Sequence, residues 1–401
     1  MILSQSLHGA VGFPEKYQKE VDASDVLRNI SRNEPIEYDH VIIKGDLALG
    51  KRNLPIEKQE LFKNMKVVKI PIKIDESKIE GNVNFADILF EAPISFKGTK
   101  FNGYFTLKGA WFNDTVDFDE ARFNNTTYVT TFNGAHFNKG VDLTRSRFNG
   151  DANFEGTQFG EEAFFIGSHL MGNAYYWNAG FGGFSDFTNA KFDGEAYFGG
   201  AQFNRTAEFS RAKFNGSADF RETRFHGLLD LYAVDISKFI ISWQSIEGDF
   251  VCDDITYLGL IKKFKENGQF EDADSCYYQY RQWHQRQKSW LEGSKIIDIL
   301  ACLSCGYGMY PLNVVYSLFV LIVLSGFLFW IGDGIKNESD LFSAGKVSLI
   351  DHWFYSLMVA IGIHTDFKPK GRFRYLVAVC RIFGLLLFAL LITTLGHVFI
   401  R

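Results

Sequence analysis

The sequence predicts a chain in two parts, a β-solenoid followed by helices, with two apolar segments of membrane-spanning length at its end. Three observations predict it. From about residue 83 to Ile236, large apolar residues recur in steps that alternate between five and six. Two positions before most of them stands a small residue. Near the end, Leu312–Ile331 and Tyr375–Ile400 are each apolar for the about 20 residues that a bilayer crossing takes, and a short polar stretch separates them.

Composition sets the outer limits. At 401 residues the chain has room for two or three domains. A net charge of −5 gives no nucleic-acid signal. Phe is abundant at 41 residues and Pro scarce at 7. The five cysteines, Cys252, Cys276, Cys302, Cys305 and Cys380, are odd in number and fall mostly in helix-like or near-membrane sequence, so no disulfide framework is expected. Cys302 and Cys305 form a CxxC with no second pair or nearby His, and no metal site is assigned.

In chain order, residues 1–80 read as an N-terminal cap and first β coils. Ser24-Asp25-Val26 is a helix start. Alternation begins at Ile36 and continues through Tyr38, Val41, Ile43, Leu47 and Leu49, with Gly45-Asp46 as a turn. Residues 51–65 interrupt it as an excursion, and it resumes at Val67.

Residues 81–240 are the repeat. Its centres run through Phe85, Phe90, Phe96 and Phe101 to Phe209, Phe214, Phe220 and Phe225. The small partners include Ala110, Ala121, Ala152, Ala174, Ala201 and Ala218. Steps of five and six scatter the centres around a 3.6-residue helix, so a helix cannot bury them together. A solenoid can. Each unit is one side of a coil, the centre and its small partner both point inward, and coils stack about 4.8 Å apart. Two eleven-residue units per coil give about seven coils over this stretch. A slip of about three residues near 124–136 predicts a bulging loop.

This pattern resembles the pentapeptide-repeat family, with Phe at the centre. The resemblance implies a right-handed quadrilateral β-helix. Some members mimic DNA, which needs a strongly acidic surface. Here about 19 acidic face about 14 basic residues over 81–240, so a rigid scaffold or assembly surface is the expectation, with an unknown cytoplasmic ligand left open.

Residues 241–294 turn helical. Tyr257, Leu260, Ile261 and Phe264, then Gly268, then Phe270, Ala273, Tyr277 and Tyr280 read as a helical hairpin that packs on the solenoid end and couples it to the pore-like segment beyond. Residues 295–311, with Ile296, Ile297, Leu300 and Leu303, read as an interfacial amphipathic segment, and Trp290 precedes it. Cys305-Gly-Tyr-Gly308 lies before the first span and is not a selectivity filter.

Between the two spans lies DHWFYSLMVAIGIHTDFKPKGRFR, Asp351 to Arg374. It opens with a short helix-like run, turns through a polar segment, and leaves through Pro369 and a basic patch. Irregular backbone at membrane depth must be buried in protein or line water. Span, half-helix, polar turn and span resemble the two-helix pore domain of the potassium-channel family over residues 312–401. Tyr355-Ser356 takes the pore-helix position, Asp366-Phe367-Lys368-Pro369 the filter exit, and the run from Gly384 the inner helix.

The resemblance implies an all-α pore domain with a re-entrant pore helix, assembled as a homotetramer. It also implies a filter over Ala360, Ile361, Gly362, Ile363, His364, Thr365 and Asp366. His364 stands where the family has a second glycine, so a wider, partly hydrated cation path is expected, with Asp366 attracting cations at the mouth. His364 reads either as pore-facing or as packing behind the filter. Gly384 reads as a gating hinge or a close-packing position, and Thr393 and Thr394 as facing an inner cavity. Arg381 is an intramembrane charge, either snorkelling or paired with Asp351 or Asp366.

The expected function is a tetrameric cation channel without catalysis, cofactors or nucleic-acid partners, its ligands being permeant cations and its surroundings a lipid bilayer. The alternatives are a non-conducting membrane-anchored scaffold and an anion path lined by basic residues after Asp366. The first 25 residues lack a continuous apolar core, which places the solenoid and both termini in the cytoplasm and the spans in the plasma membrane. Arg281, Arg286, Lys288 and Lys295 before the first span agree with that orientation. Lys368, Lys370, Arg372 and Arg374 oppose it.

Overall fold

The computed structural model describes residues 17, 19–59, 62–246, 248, 250–337 and 347–399. The opening of the expected cap, residues 1–16, and the last residue of the second expected span, Ile400, lie outside the described residues. The chain forms one compact unit that ends at Phe264 and a second that begins at Lys265.

The first unit is a β-solenoid. One coil passes through Lys100–Phe101 (sheet A), Phe105–Thr106 (sheet B), Trp111–Phe112 (sheet C) and Val116–Asp117 (sheet D) before returning to sheet A at Arg122–Phe123. Each of these short strands pairs in parallel with its equivalent one coil away. Among the described residues, sheets A, B and C hold nine strands and sheet D ten. The solenoid has about ten turns in all, against the seven expected over residues 81–240. The difference comes from its ends: sheet D already begins at Ile36–Asp39 and still gains a strand at Phe250–Val251.

The core is a ladder of rings. Phe198 stacks on Tyr176 and Phe220 with centroids 4.7 and 4.8 Å apart and the rings nearly parallel. These are the coil spacings themselves. Between ladders the rings meet edge to face, as for Phe198 and Phe209 at 88°. Ala residues two positions before the centres, among them Ala110, Ala152 and Ala196, are fully buried.

A turn lies behind the alternation of five and six. From Asp87 through Gly98, Gly109 and Glu120, one residue in every eleven adopts positive φ, always two positions after a centre. The three-residue slip appears in the pairing. Partners on successive coils are normally 22 residues apart, as for Asn102 and Asn124, but 25 apart across the slip, as for Asn113 and Asn138. The register recovers at Phe132, a fully buried centre that the sequence periodicity passes over.

Both ends of the solenoid are covered. At the first, α1 (Ala23–Ser31) is capped by the Asp22 carboxylate, which accepts from Ser24 N at 2.7 Å, and it buries Val26, Leu27 and Ile30. The excursion after residue 50 is an antiparallel hairpin of Ile56–Gln59 with Phe62–Val68, whose second strand rejoins the coil beside Ile88–Phe90. At the other end, α2 (Asp254–Glu266) buries Tyr257, Leu260 and Phe264. Phe250 and Trp243 meet its Tyr257 and Phe264 rings.

The second unit is helical: α3 (Phe270–Gln287), α4 (Gly293–Cys305), α5 (Pro311–Ile331), α6 (Leu349–Ala360) and α7 (Phe373–Phe399). Among the described residues, α5 and α7 are long and apolar enough to cross a membrane.

Candidate functional site

The site is built from α5, α6, the turn after α6, and α7. Helix α6 starts at a capping box. Ser348 Oγ accepts from Asp351 N at 3.2 Å, and the Asp351 carboxylate accepts from Ser348 N at 2.9 Å. It ends on a Schellman motif: Ile363 N donates to Met358 O at 2.8 Å and Gly362 N to Val359 O at 3.2 Å. The motif requires a left-handed residue, and Gly362 supplies it at φ +81°. With 12 residues, α6 is about 18 Å long, roughly half a bilayer core.

Small residues let α6 approach both long helices. Ser325 and Ser356 share a hydrogen bond between hydroxyls, and Ser356 Oγ also donates to Ile322 O at 3.0 Å. One residue on, a Cβ at Gly326 would lie 3.2 Å from Trp353 Cα. On the other side, a Cβ at Gly384 would lie 2.7 Å from Ala360 Cα. Phe329, Ile335, Tyr355, Val359 and Cys380 form the apolar core where the elements meet.

The expected filter residues fall on three kinds of backbone. Ala360 is the last helical residue and is buried. Ile361 and Gly362 form the cap, and Ile363, His364 and Asp366 are exposed. Beyond them Phe367–Pro369 pairs antiparallel with Ile335–Asn337, which ties the exit of the turn to the segment after α5. Lys370 Nζ pairs with Asp333 at 2.7 Å, so one member of the basic patch is neutralised. The hydroxyls of Thr393 and Thr394 donate to carbonyls three residues back on α7; Thr393 is exposed and Thr394 buried. Arg381 Nε is buried with no hydrogen-bond partner among the described residues. Asp351 is occupied by Ser348 instead.

Sequence reasoning missed His352. It is buried, its Nδ1 donates to Ser348 O at 2.7 Å, and its Nε2 has no partner among the described residues. Its signal is a His beside Asp351 in the first turn of a mostly apolar helix. Reasoning also missed Ser325-Gly326, two small residues in the middle of an apolar run.

Before the spans, Asp298 is buried between Arg281 at 2.8 Å and Lys288 at 2.5 Å. Lys288, ahead of Arg281, holds its carboxyl below the usual range. Ile296, Ile297, Leu300 and Leu303 of α4 are all exposed. Cys302 Sγ lies 3.6 Å from Tyr278 Oη, and Cys305 Sγ donates to Ala301 O. Gly306 closes α4 in the left-handed region, and Gly306–Gly308 is a tight helical turn. At the far end of α7, His397 Nε2 lies 3.3 Å from the Asp274 carboxylate of α3.

The comparisons with known proteins bear on the solenoid. The pentapeptide-repeat family, in its nine-copy form, matches residues 132–179 and 187–235. The chain carries pentapeptide repeats. No curated protein and no solved structure matches it significantly.

Proposed function

We propose that this chain is one subunit of a homotetrameric cation channel, with α6 as a re-entrant pore helix between the spans α5 and α7. The solenoid is a right-handed, four-sided domain on the cytoplasmic side of the plasma membrane, and α3 and α4 couple it to the pore. The observation that carries this reading is α6 itself. It is a half-length helix held between two spanning-length helices by Ser325, Gly326 and Gly384, and it ends in an exposed turn. Lipid cannot satisfy such a turn, so several copies must surround it with water. A single copy cannot enclose a path, and a ring of copies can.

In this ring, carbonyls and the Asp366 carboxylates attract cations at the mouth. His364 in place of a glycine favours a partly hydrated path over tight potassium selection. The exposed apolar face of α4 lies at the membrane surface. Arg381 faces water or a neighbouring copy.

The test is ion flux through reconstituted vesicles, with reversal potentials under mixed-ion gradients. The expected result is cation flux that Asp366→Asn reduces. Absence of flux would favour a membrane-anchored scaffold, and an anion reversal potential would favour a path lined by Lys368, Arg372 and Arg374.

A further inference from the structure

The coil sorts charge by face. On sheet A one outward position is basic in coil after coil: Lys78, Lys100, Arg122, Arg147, Lys191 and Lys213 stand in register, with His169 between Arg147 and Lys191. On sheet D the corresponding position is acidic. Asp117 and Asp142 are followed, past Phe164, by Asp186, Glu208 and Asp230. Both lines advance by one coil, about 4.8 Å, per step.

Like charges in register repel, so such lines persist at a cost in stability unless something answers them. Each line is partly answered within its own copy: Asp117, Asp142, Asp186 and Asp230 each accept a backbone N–H from two residues on, and part of the basic line is paired on its own face. Glu80 meets Lys78 at 2.8 Å, and Asp193 meets Lys191 at 2.8 Å and His169 at 2.6 Å. Arg122, Arg147 and Lys213 make no ion pair with any described residue.

We propose that the basic face of one copy docks on the acidic face of the next, so that the solenoids of four copies close a ring. The inference rests on the fourfold assembly proposed above and states which surfaces make it. A second copy is the occupant because the two lines match in sign and in pitch. Both are built on one coil repeat, so they stay in step over the coils from Arg122 to Lys213; in the two coils before that, sheet D carries Lys73 and Ser95 at this position and the match in sign lapses. Sheets D and A are consecutive sides of the coil. In a four-sided coil such sides stand about a right angle apart, so docking one on the other between parallel solenoids turns each copy by that angle and closes after four. A face docked on itself would stop at two copies, and opposite faces would give an open filament.

The test uses the full chain in its membrane with a short bis-maleimide cross-linker. Lys213→Cys and Glu208→Cys lie on the two faces of one coil. Together they are expected to give bands of two, three and four copies and none larger, while either change alone gives no more than the unmodified chain. Adding Arg122→Glu and Arg147→Glu, with folding checked by circular dichroism, should cut the bands about fivefold or more. No bands from the double variant, bands beyond four, or pairs from Lys213→Cys alone overturn the proposal. So does polyphosphate binding to the basic face without cross-linked bands. Ion flux in the same vesicles separates the two readings: bands without flux keep the ring and remove the channel, and flux without bands does the reverse.

Discussion

Gly384 of α7 sits against Ala360, the last residue of α6. A Cβ at Gly384 would come within 2.7 Å of both Cα and C of Ala360, and closer still to its oxygen. The obstruction is backbone, so no side-chain rotation relieves it. Helix α7 runs unbroken from Phe373 to Phe399 through this point, and Gly384 is where it packs closely against the end of α6. Gly384→Ala is expected to push the end of α6 away and lower the stability of the helical unit by about 1–3 kcal/mol. Thermal unfolding in detergent measures this, and an unchanged midpoint would mean that the two helices are not in contact here. On the channel reading, flux falls with it.

Gly362 holds the other side of the same joint. Its φ of +81° closes the Schellman motif that turns the chain out of α6. A side chain in that region costs about 1–2 kcal/mol. Gly362→Ala should therefore destabilise the turn, whereas Gly362→Asn should lose less, because Asn tolerates the left-handed region better. Unfolding midpoints that rank the glycine first, Asn second and Ala last would bear this out. Equal midpoints for Ala and Asn would show that the conformation is not what the glycine supplies.

Much of the solenoid was legible because its signal is local: a centre, and a small residue two places before it. Phe132 escaped because the three extra residues of the slip shift the count just where it falls. The charged faces escaped for another reason. Arg122 and Arg147 become neighbours only when the coil is wrapped, and a net count over the whole stretch averages sheet A against sheet D. Their trace is nonetheless in the sequence, in the basic residue directly before Phe101, Phe123, Phe148, Phe192 and Phe214. In the helical unit, the lengths of α5 and α7 were readable from composition. The contact of Gly384 with Ala360 was not, since nothing in the pattern around either residue names the other.

Tyr176 tests how the aromatic core tolerates a polar atom. It is fully buried between Phe154 and Phe198, and its hydroxyl has no partner among the described residues. Burial pushes the phenol well above its ordinary pKa. The ring stabilises by stacking, and the unpaired oxygen works against it. Tyr176→Phe should keep the stack and stabilise the solenoid by about 1 kcal/mol. By contrast, Phe198→Ala should remove about 3–5 kcal/mol. Denaturant unfolding of the full chain, followed by far-ultraviolet circular dichroism, reads both. A loss of stability in Tyr176→Phe would show that the hydroxyl is bonded after all.

The acidic line gives a pH dependence of definite sign. Desolvation first, then the Asp186 and Asp230 charges, raise the Glu208 carboxyl above its ordinary value, and desolvation with Asp142 does the same for Asp117. A carboxyl raised on folding binds its proton more tightly in the folded state. Its contribution is therefore fully present below the unfolded pKa and is lost as pH rises through the folded one. Asp193 works the other way. Lys191 and His169 lower it to about 2, so its contribution is present at neutral pH and disappears only in strong acid. Glu208→Gln, which cannot ionise, should therefore raise the unfolding midpoint at pH 7 and leave it unchanged near pH 3, below the ordinary Glu value. If the gain were the same at both pH values, it would come from packing and not from the stacked charges. If the midpoint fell at pH 7, the Glu208 carboxylate would be answered by a cation within the chain, and the repulsion along sheet D would not exist.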